Sequence, residues 1–154
     1  MLDALRAPVA ATLSMQMNFE YLHVKPESNL PELSRTEPFK AVLISESEVS
    51  PEWQAKVSEW LVRSGCLYMM AWGVNCSSWD DSVDFAHMEA FHFDEIPSDR
   101  FVMTTWHEND ELKAVFWFCQ HSAFHNDVSI EKIVAIHISD ANEEARISRE
   151  FENA

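Results

Sequence analysis

Ala41-Val42-Leu43-Ile44-Ser45-Glu46 passes from four apolar residues straight into two polar ones, and that step decides the fold. A half-exposed strand alternates in polarity, whereas a short unbroken apolar run is the mark of a strand buried on both faces. The same step recurs at Leu67–Ala71 before Trp72, at Phe101–Met103 before Thr104-Thr105-Trp106-His107, and at Ile133–Ile136 before His137. Helical stretches separate these runs. The order is therefore β-α-β-α-β-α-β, which predicts an α/β fold: a single three-layer domain with a mainly parallel sheet of about four strands. Such sheets place functional groups just beyond the carboxyl ends of their strands.

Outward from the strands, the first helix carries the clearest local signals. Ser50 suits the N-cap, Pro51 the first helical position and Gly65 the end, while Trp53, Val57, Trp60 and Leu61 fall on one face. At that spacing Trp53 and Trp60 are core residues rather than a binding stripe. A second helix starts at Asn75-Cys76-Ser77-Ser78, with Ser77 or Ser78 as cap and Val83, Ala86 and Ala90 turned inward. A third runs from about Asp110 to Ser122, burying Leu112, Val115, Phe116 and Cys119. A short C-terminal helix follows, with Asp140 as cap, Glu143 completing a capping box, and Ile147 and Phe151 inward.

Residues 1–38 read differently, as an N-terminal arm ahead of a single α/β domain spanning 39–154. Met17-Asn18-Phe19-Glu20-Tyr21 alternates like an edge strand, with Met17, Phe19 and Tyr21 on the packed face; Pro26, Pro31 and Pro38 punctuate the connection after it. The apolar segment Ala7–Leu13 follows Arg6, but Asp3 and Thr12 make it a poor signal peptide, so a cytoplasmic location is expected. Cys66, Cys76 and Cys119 are odd in number and widely spaced, as suits reduced thiols.

Composition then narrows function. The 154 residues are 47% hydrophobic, enough for one ordinary core, yet no apolar stretch approaches the roughly 20 residues that cross a bilayer. With 26 acidic and 11 basic residues the net charge is −15. Such a surface repels nucleic-acid phosphates and anionic lipid and favours a basic protein partner or a cation, although an acidic coat also serves solubility alone. Only Gly65 and Gly73 are glycines, against about eleven for average usage. Neither GxGxxG nor a P-loop can be built from them, and no cofactor is expected.

The strand ends would bring Ser45 and Glu46, Trp72 to Asp81, Thr105 to Glu108, and His137 to Asp140 to one rim. Indoles at Trp72, Trp79 and Trp106, with Asp80, Asp81, His107 and Glu108 around them, form a candidate binding patch. Asp84, Asp110 and Glu111 extend its negative border, while Asp80, Asp81 and Asp84 also have a structural explanation in the first turns of a helix. Three chemical alternatives use overlapping residues. Cys76 near a helix N-terminus, with His107 as base and Glu108 or Asp140 orienting it, has the logic of a Cys-His-acid triad, though Asp80 and Asp81 would raise the thiol pKa. His121 and His125 at i, i+4 on a continuing helix could hold zinc, completed by Cys119, His87 or His92. Asp80, Asp81, Glu108 and Asp140 could hold magnesium, although the first strand ends in Ser45-Glu46 where phosphotransfer folds of this topology usually carry Asp.

The segment Trp72-Gly73-Val74-Asn75-Cys76-Ser77-Ser78-Trp79-Asp80-Asp81, with Thr104-Thr105-Trp106-His107-Glu108 after it, resembles an uncharacterised bacterial domain family of unknown function over about residues 39–140. That resemblance implies a bacterial single-domain α/β protein and no activity. Ser77-Ser78-Trp79 before an acidic helix also resembles the catalytic stretch of Toll/interleukin-receptor-like NAD hydrolases, which would make Glu89 the nearest acid. In general character the chain is similar to barstar-like immunity proteins, which are small, acidic and α/β. The functional expectation is an acidic protein-binding module, an inhibitor or immunity-type protein that neutralises a basic partner such as a nuclease toxin. The alternative is a small hydrolase using Cys76, His107 or Glu89.

Overall fold

Every residue of β2 (Phe39–Ser45) is buried, as its unbroken apolar run requires. The computed structural model describes residues 18–33 and 37–154; Ala7–Leu13 and Met17 lie outside them. After β1 (Asn18–Val24) and β2 come α1 (Pro51–Arg63), β3 (Cys66–Gly73), α2 (Cys76–Ala90), a 3-10 turn at Ser98–Arg100, β4 (Met103–His107), α3 (Leu112–His121), β5 (Lys132–Ile138) and α4 (Glu144–Glu152). The five strands form one all-parallel sheet in the order β1-β5-β2-β3-β4.

That order contains a reversal. From β2 the chain steps outward through α1 to β3 and through α2 to β4, and then returns through α3 to place β5 on the other side of β2. The switch therefore lies between β2 and β5, where Ile44 pairs with His137 and Ser45 with Ile138. Helices cover both faces. Val57 and Leu61 of α1 and Trp79 and Val83 of α2 pack on Ala41, Leu43, Met69 and Ile136. Val115, Phe116 and Cys119 of α3 and Ile147 and Phe151 of α4 pack on Val42, Ile44, Met70 and Ala135.

The N-terminal strand joins the edge beside β5, with Phe19 and Tyr21 packed toward α3 and α4. Phe19 stacks on Phe151 at 4.0 Å between ring centres, so α4 is held by the first strand as well as by its own buried stripe. Trp53 and Trp60 are core residues with a second task. Their indole N–H groups donate to Ser28 O at 2.8 Å and Pro31 O at 2.7 Å, which ties the proline-rich connection onto α1.

Both glycines are consumed by the backbone. Gly65 (φ +100°) follows the Ser64 C-cap of α1 in the left-handed conformation that closes helices. Gly73 (φ +99°) ends β3 so close to β2 that a Cβ there would sit 2.1 Å from Ser45 O, the carbonyl that accepts the Val74 N–H at 2.8 Å.

Several boundaries differ from expectation, each for a physical reason. β4 begins at Met103, so Thr104, Thr105 and Trp106 lie within it and not beyond its end, and Phe101 precedes it on an exposed turn. As an edge strand it is only half buried, and β-branched and aromatic residues serve it better than an apolar run. Trp72 and His137 likewise belong to their strands. Neither Ser77 nor Ser78 caps α2; the N-cap is Asn75 at φ 56°, with no side-chain cap bond, and Ala90 is exposed. α3 spans Leu112–His121, shorter than expected, and ends before His125. α4 starts after Glu143 without a side-chain cap, and Asp140 is exposed and outside it.

Candidate functional site

At the switch point the strand ends carry a closed polar network. His137 on β5 is fully buried, yet both of its ring nitrogens are engaged. Tyr21 Oη lies 2.7 Å from Nδ1, and Glu46 Oε1, just past β2, lies 2.7 Å from Nε2. The Tyr21 oxygen also accepts the Glu143 N–H at 3.0 Å, so its own proton is free for Nδ1, and Nε2–H donates to Glu46. Arg146 on α4 closes the chain by donating to Glu46 Oε1 at 2.7 Å and to Glu143 Oε1. Beside it His23 Nε2 bonds Ser139 O at 2.8 Å. Partial burial opposes the Glu46 charge, but hydrogen bonds from His137 and Arg146 outweigh it and hold the carboxyl below its ordinary value. Burial pushes the Tyr21 phenol up.

The expected indole and carboxylate patch is distributed over two environments. Trp79 is 1% exposed and packs in the core beneath α2, so it cannot meet a partner. Asp80 is also buried. Its Oδ1 accepts from the Thr104 hydroxyl at 3.2 Å, the same hydroxyl lies 2.8 Å from Asp84 Oδ1, and Asp80 Oδ2 has no partner among the described residues. Burial first, and then the Asp84 charge, pushes Asp80 up to about 6. Trp72 is half-buried, with its indole donating to Asp110 O at 2.7 Å. Trp106, Asp81 and Glu108 are exposed.

Among the described residues the catalytic and zinc alternatives do not assemble through their side chains, although the Cys76 thiol lies against the His107 backbone with Glu108 nearby. His107 places Nε2 2.9 Å from Thr105 Oγ1 and Nδ1 3.2 Å from Asp110 Oδ2, so its ring is committed to its own strand and loop rather than to Cys76. Burial, and secondarily the Glu108 charge, raises the Cys76 thiol, the opposite of what a nucleophile needs. Glu89 is exposed near the far end of α2, about 20 Å along the helix from Cys76 at 1.5 Å per residue. His121 is exposed in the last turn of α3, whereas His125 lies in the following loop. There its Nε2 bonds Phe101 O at 2.8 Å and its Nδ1 accepts from the Asp127 and Val128 N–H groups, so the two imidazoles do not share a helix face.

What the strand-end rule missed is the carboxyl half of α2 and the turn after it. Phe85, Met88 and Phe93 are exposed there, with Phe101 exposed just before β4 and Trp106 exposed on it. Phe85 and Phe93 touch edge to face at 5.6 Å. Both His92 and Phe93 take positive φ, 54° and 59°, which holds Phe93 outward at 59% exposure. Alongside runs a groove between α1 and α2, lined by Phe85 with Glu59, Asp81 and Glu89 and by no basic residue. The signal was present in Phe85-Ala86-His87-Met88-Glu89-Ala90-Phe91-His92-Phe93, whose aromatics exceed what one buried helix face can accept.

Architecture and surface together define a doubly wound α/β domain with a polar network at its switch point and an aromatic, acid-lined outer helix. Residues 19–154 match the family described as Domain of unknown function (DUF7684), and the chain belongs to that family. No curated protein and no solved structure matches it. Among the described residues, no helix is long and apolar enough to cross a membrane.

Proposed function

We propose that this chain is an acidic protein-binding module that presents α2 and the β4 edge to a basic partner, as an inhibitor or immunity-type protein would present itself to a toxic nuclease. The observation that carries this is the exposed Phe85–Phe93 pair beside a groove whose charged groups are the carboxylates of Glu59, Asp81 and Glu89. Exposed aromatic anchors bordered by charge are the composition of binding hot spots, and a carboxylate groove selects Lys or Arg side chains. A net charge of −15 would steer a basic protein toward it at low salt. Asp80 and Trp79, as buried groups, position this surface and do not touch the partner.

The test is capture from native lysate on immobilised wild-type chain and on Phe85→Ala/Phe93→Ala and Asp81→Asn/Glu89→Gln variants, washed at low and high salt. A basic protein should be held by the wild type, lost from the aromatic double variant by about tenfold or more in affinity, and held with a flatter salt dependence by the charge variant. Equal capture by all three proteins would remove this surface as the binding site.

A further inference from the structure

The switch-point network has a property that a simple structural lock does not require. Glu46, His137 and Glu143 reach the same spot from three segments, the end of β2, the strand β5 and the residue before α4. One oxygen of each carboxylate and one imidazole nitrogen all lie within 4.8 Å of one another. A single atom, Arg146 Nη2, is hydrogen-bonded to both of those carboxylate oxygens. The two acids thus already converge on one cationic atom.

We propose that Glu46, His137 and Glu143 are a binding site for a divalent first-row metal, with Zn²⁺ the best match, and that the Arg146 guanidinium is its built-in competitor. One imidazole with two carboxylates is a donor set of intermediate softness, suited to zinc or manganese more than to calcium. His137 is oriented as ligating histidines are, with the nitrogen away from the site held by a second group, the Tyr21 hydroxyl at 2.7 Å. On binding at Nε2 the imidazole proton moves from Nε2 to Nδ1 and is donated to the Tyr21 oxygen, whose own hydroxyl proton turns away from the ring. Arg146 is 43% exposed on its side chain, so it can swing into solvent without opening the core, and its departure opens the path by which the metal enters. Three protein donors leave a further coordination position toward solvent, at the place where doubly wound sheets bind ligands. This site is distinct from the α2 surface, and either proposal can fail without the other.

Calorimetric titration of the chelator-treated full chain with Zn²⁺, and separately with Mn²⁺, tests it. The wild type should bind one equivalent of Zn²⁺ more tightly than Mn²⁺. Arg146→Ala should bind Zn²⁺ about two- to fivefold more tightly, because the competing cation, held only by two solvent-screened pairs, is gone. Glu143→Gln, a change at an exposed residue that leaves the buried network intact, should bind at least tenfold more weakly, and Tyr21→Phe about tenfold more weakly through loss of the orienting group. Ring-nitrogen NMR should show Zn²⁺ shifting Nε2 of His137 ahead of every other imidazole. Arg146→Ala that binds no more tightly, Glu143→Gln that binds as the wild type does, or a shift confined to His121 or His125 would overturn the proposal and leave the network as an ion-pair lock.

Discussion

The two ends of the sheet treat buried polar groups in opposite ways. Around β1, β5 and β2, the fully buried His137 has a partner on each nitrogen, and Tyr21, Glu46, Glu143 and Arg146 satisfy one another. Under the β4 edge, α2 contains both of the buried side-chain atoms that lack a partner among the described residues, Asp80 Oδ2 and His87 Nδ1. The same helix exposes Phe85 and Met88 and leads into two consecutive non-glycine residues at positive φ, His92 and the exposed Phe93. A chain that can satisfy a histidine buried at one end has not failed at the other for want of means. Unsatisfied groups, backbone strain and exposed apolar rings kept together are what the binding surface proposed above would require.

Removing the centre of the satisfied end should have the largest effect. His137→Ala leaves a cavity, strips Tyr21 of its acceptor and takes one of the two hydrogen-bond donors from Glu46. The expected loss is about 3 kcal/mol or more in urea denaturation. A loss below about 1 kcal/mol would mean that the network is not what holds β1 and α4 to the sheet.

The opposite sign is expected for Asp80→Asn. Asp80 titrates at about 6 in the fold against 3.8 as its ordinary value, so the folded chain binds more protons than the unfolded one across that interval. Stability contributed by this group is therefore intact below pH 3.8, falls as pH rises toward 6, and stays lost above it. Asn keeps the shape, carries no charge and can donate to Asp84. The variant should be more stable than the wild type by on the order of 2 kcal/mol at pH 8, and equal to it at pH 3.5 or below. The same difference at both pH values would show that burial of the Asp80 charge is not its source.

These two ends also differ in how legible they were. The cores of β2, β3 and β5 could be read because burial on both faces leaves only apolar residues, and α1 because Ser50, Pro51 and Gly65 mark its limits. β4 was displaced by several residues because an edge strand needs only one apolar face, so Thr104-Thr105-Trp106 looked like a loop. Glu46 and His137 were visible as groups near strand ends. Their pairing was not, because it depends on β5 returning beside β2 and on Tyr21, 116 residues away in sequence, lying on the neighbouring strand. The burial of Trp79 and Asp80 turned on where α2 begins, and a left-handed Asn75 N-cap leaves no side-chain signature.

Phe93→Gly should sharpen the contrast from the exposed end. A bulky side chain at φ 59° is disfavoured by about 1 kcal/mol, and Gly removes that strain at the cost of little more than the edge-to-face contact with Phe85, since the residue is 59% exposed. Stability should rise by up to about 1 kcal/mol, while binding of a basic partner captured by the wild type weakens. Lower stability would place Phe93 among the packing residues and remove it as an anchor.

The smallest effect should come from the most conspicuous charge in the satisfied network. Arg146 bridges Glu46 and Glu143, yet its side chain is 43% exposed and those of its partners 30% and 44%. Solvent-screened pairs of this kind contribute about 0.5 kcal/mol or less. Glu46 would keep its 2.7 Å bond from His137, and Tyr21 would keep both of its own bonds. Arg146→Ala should therefore leave the midpoint of urea denaturation nearly unchanged where His137→Ala shifts it strongly. Agreement would divide the network into a buried Tyr21–His137–Glu46 bolt and an outer cationic position that stability does not depend on, which is what an exchangeable occupant of that position requires. A loss for Arg146→Ala as large as that for His137→Ala would instead make the guanidinium part of the bolt, with nothing left over for a second cation to replace.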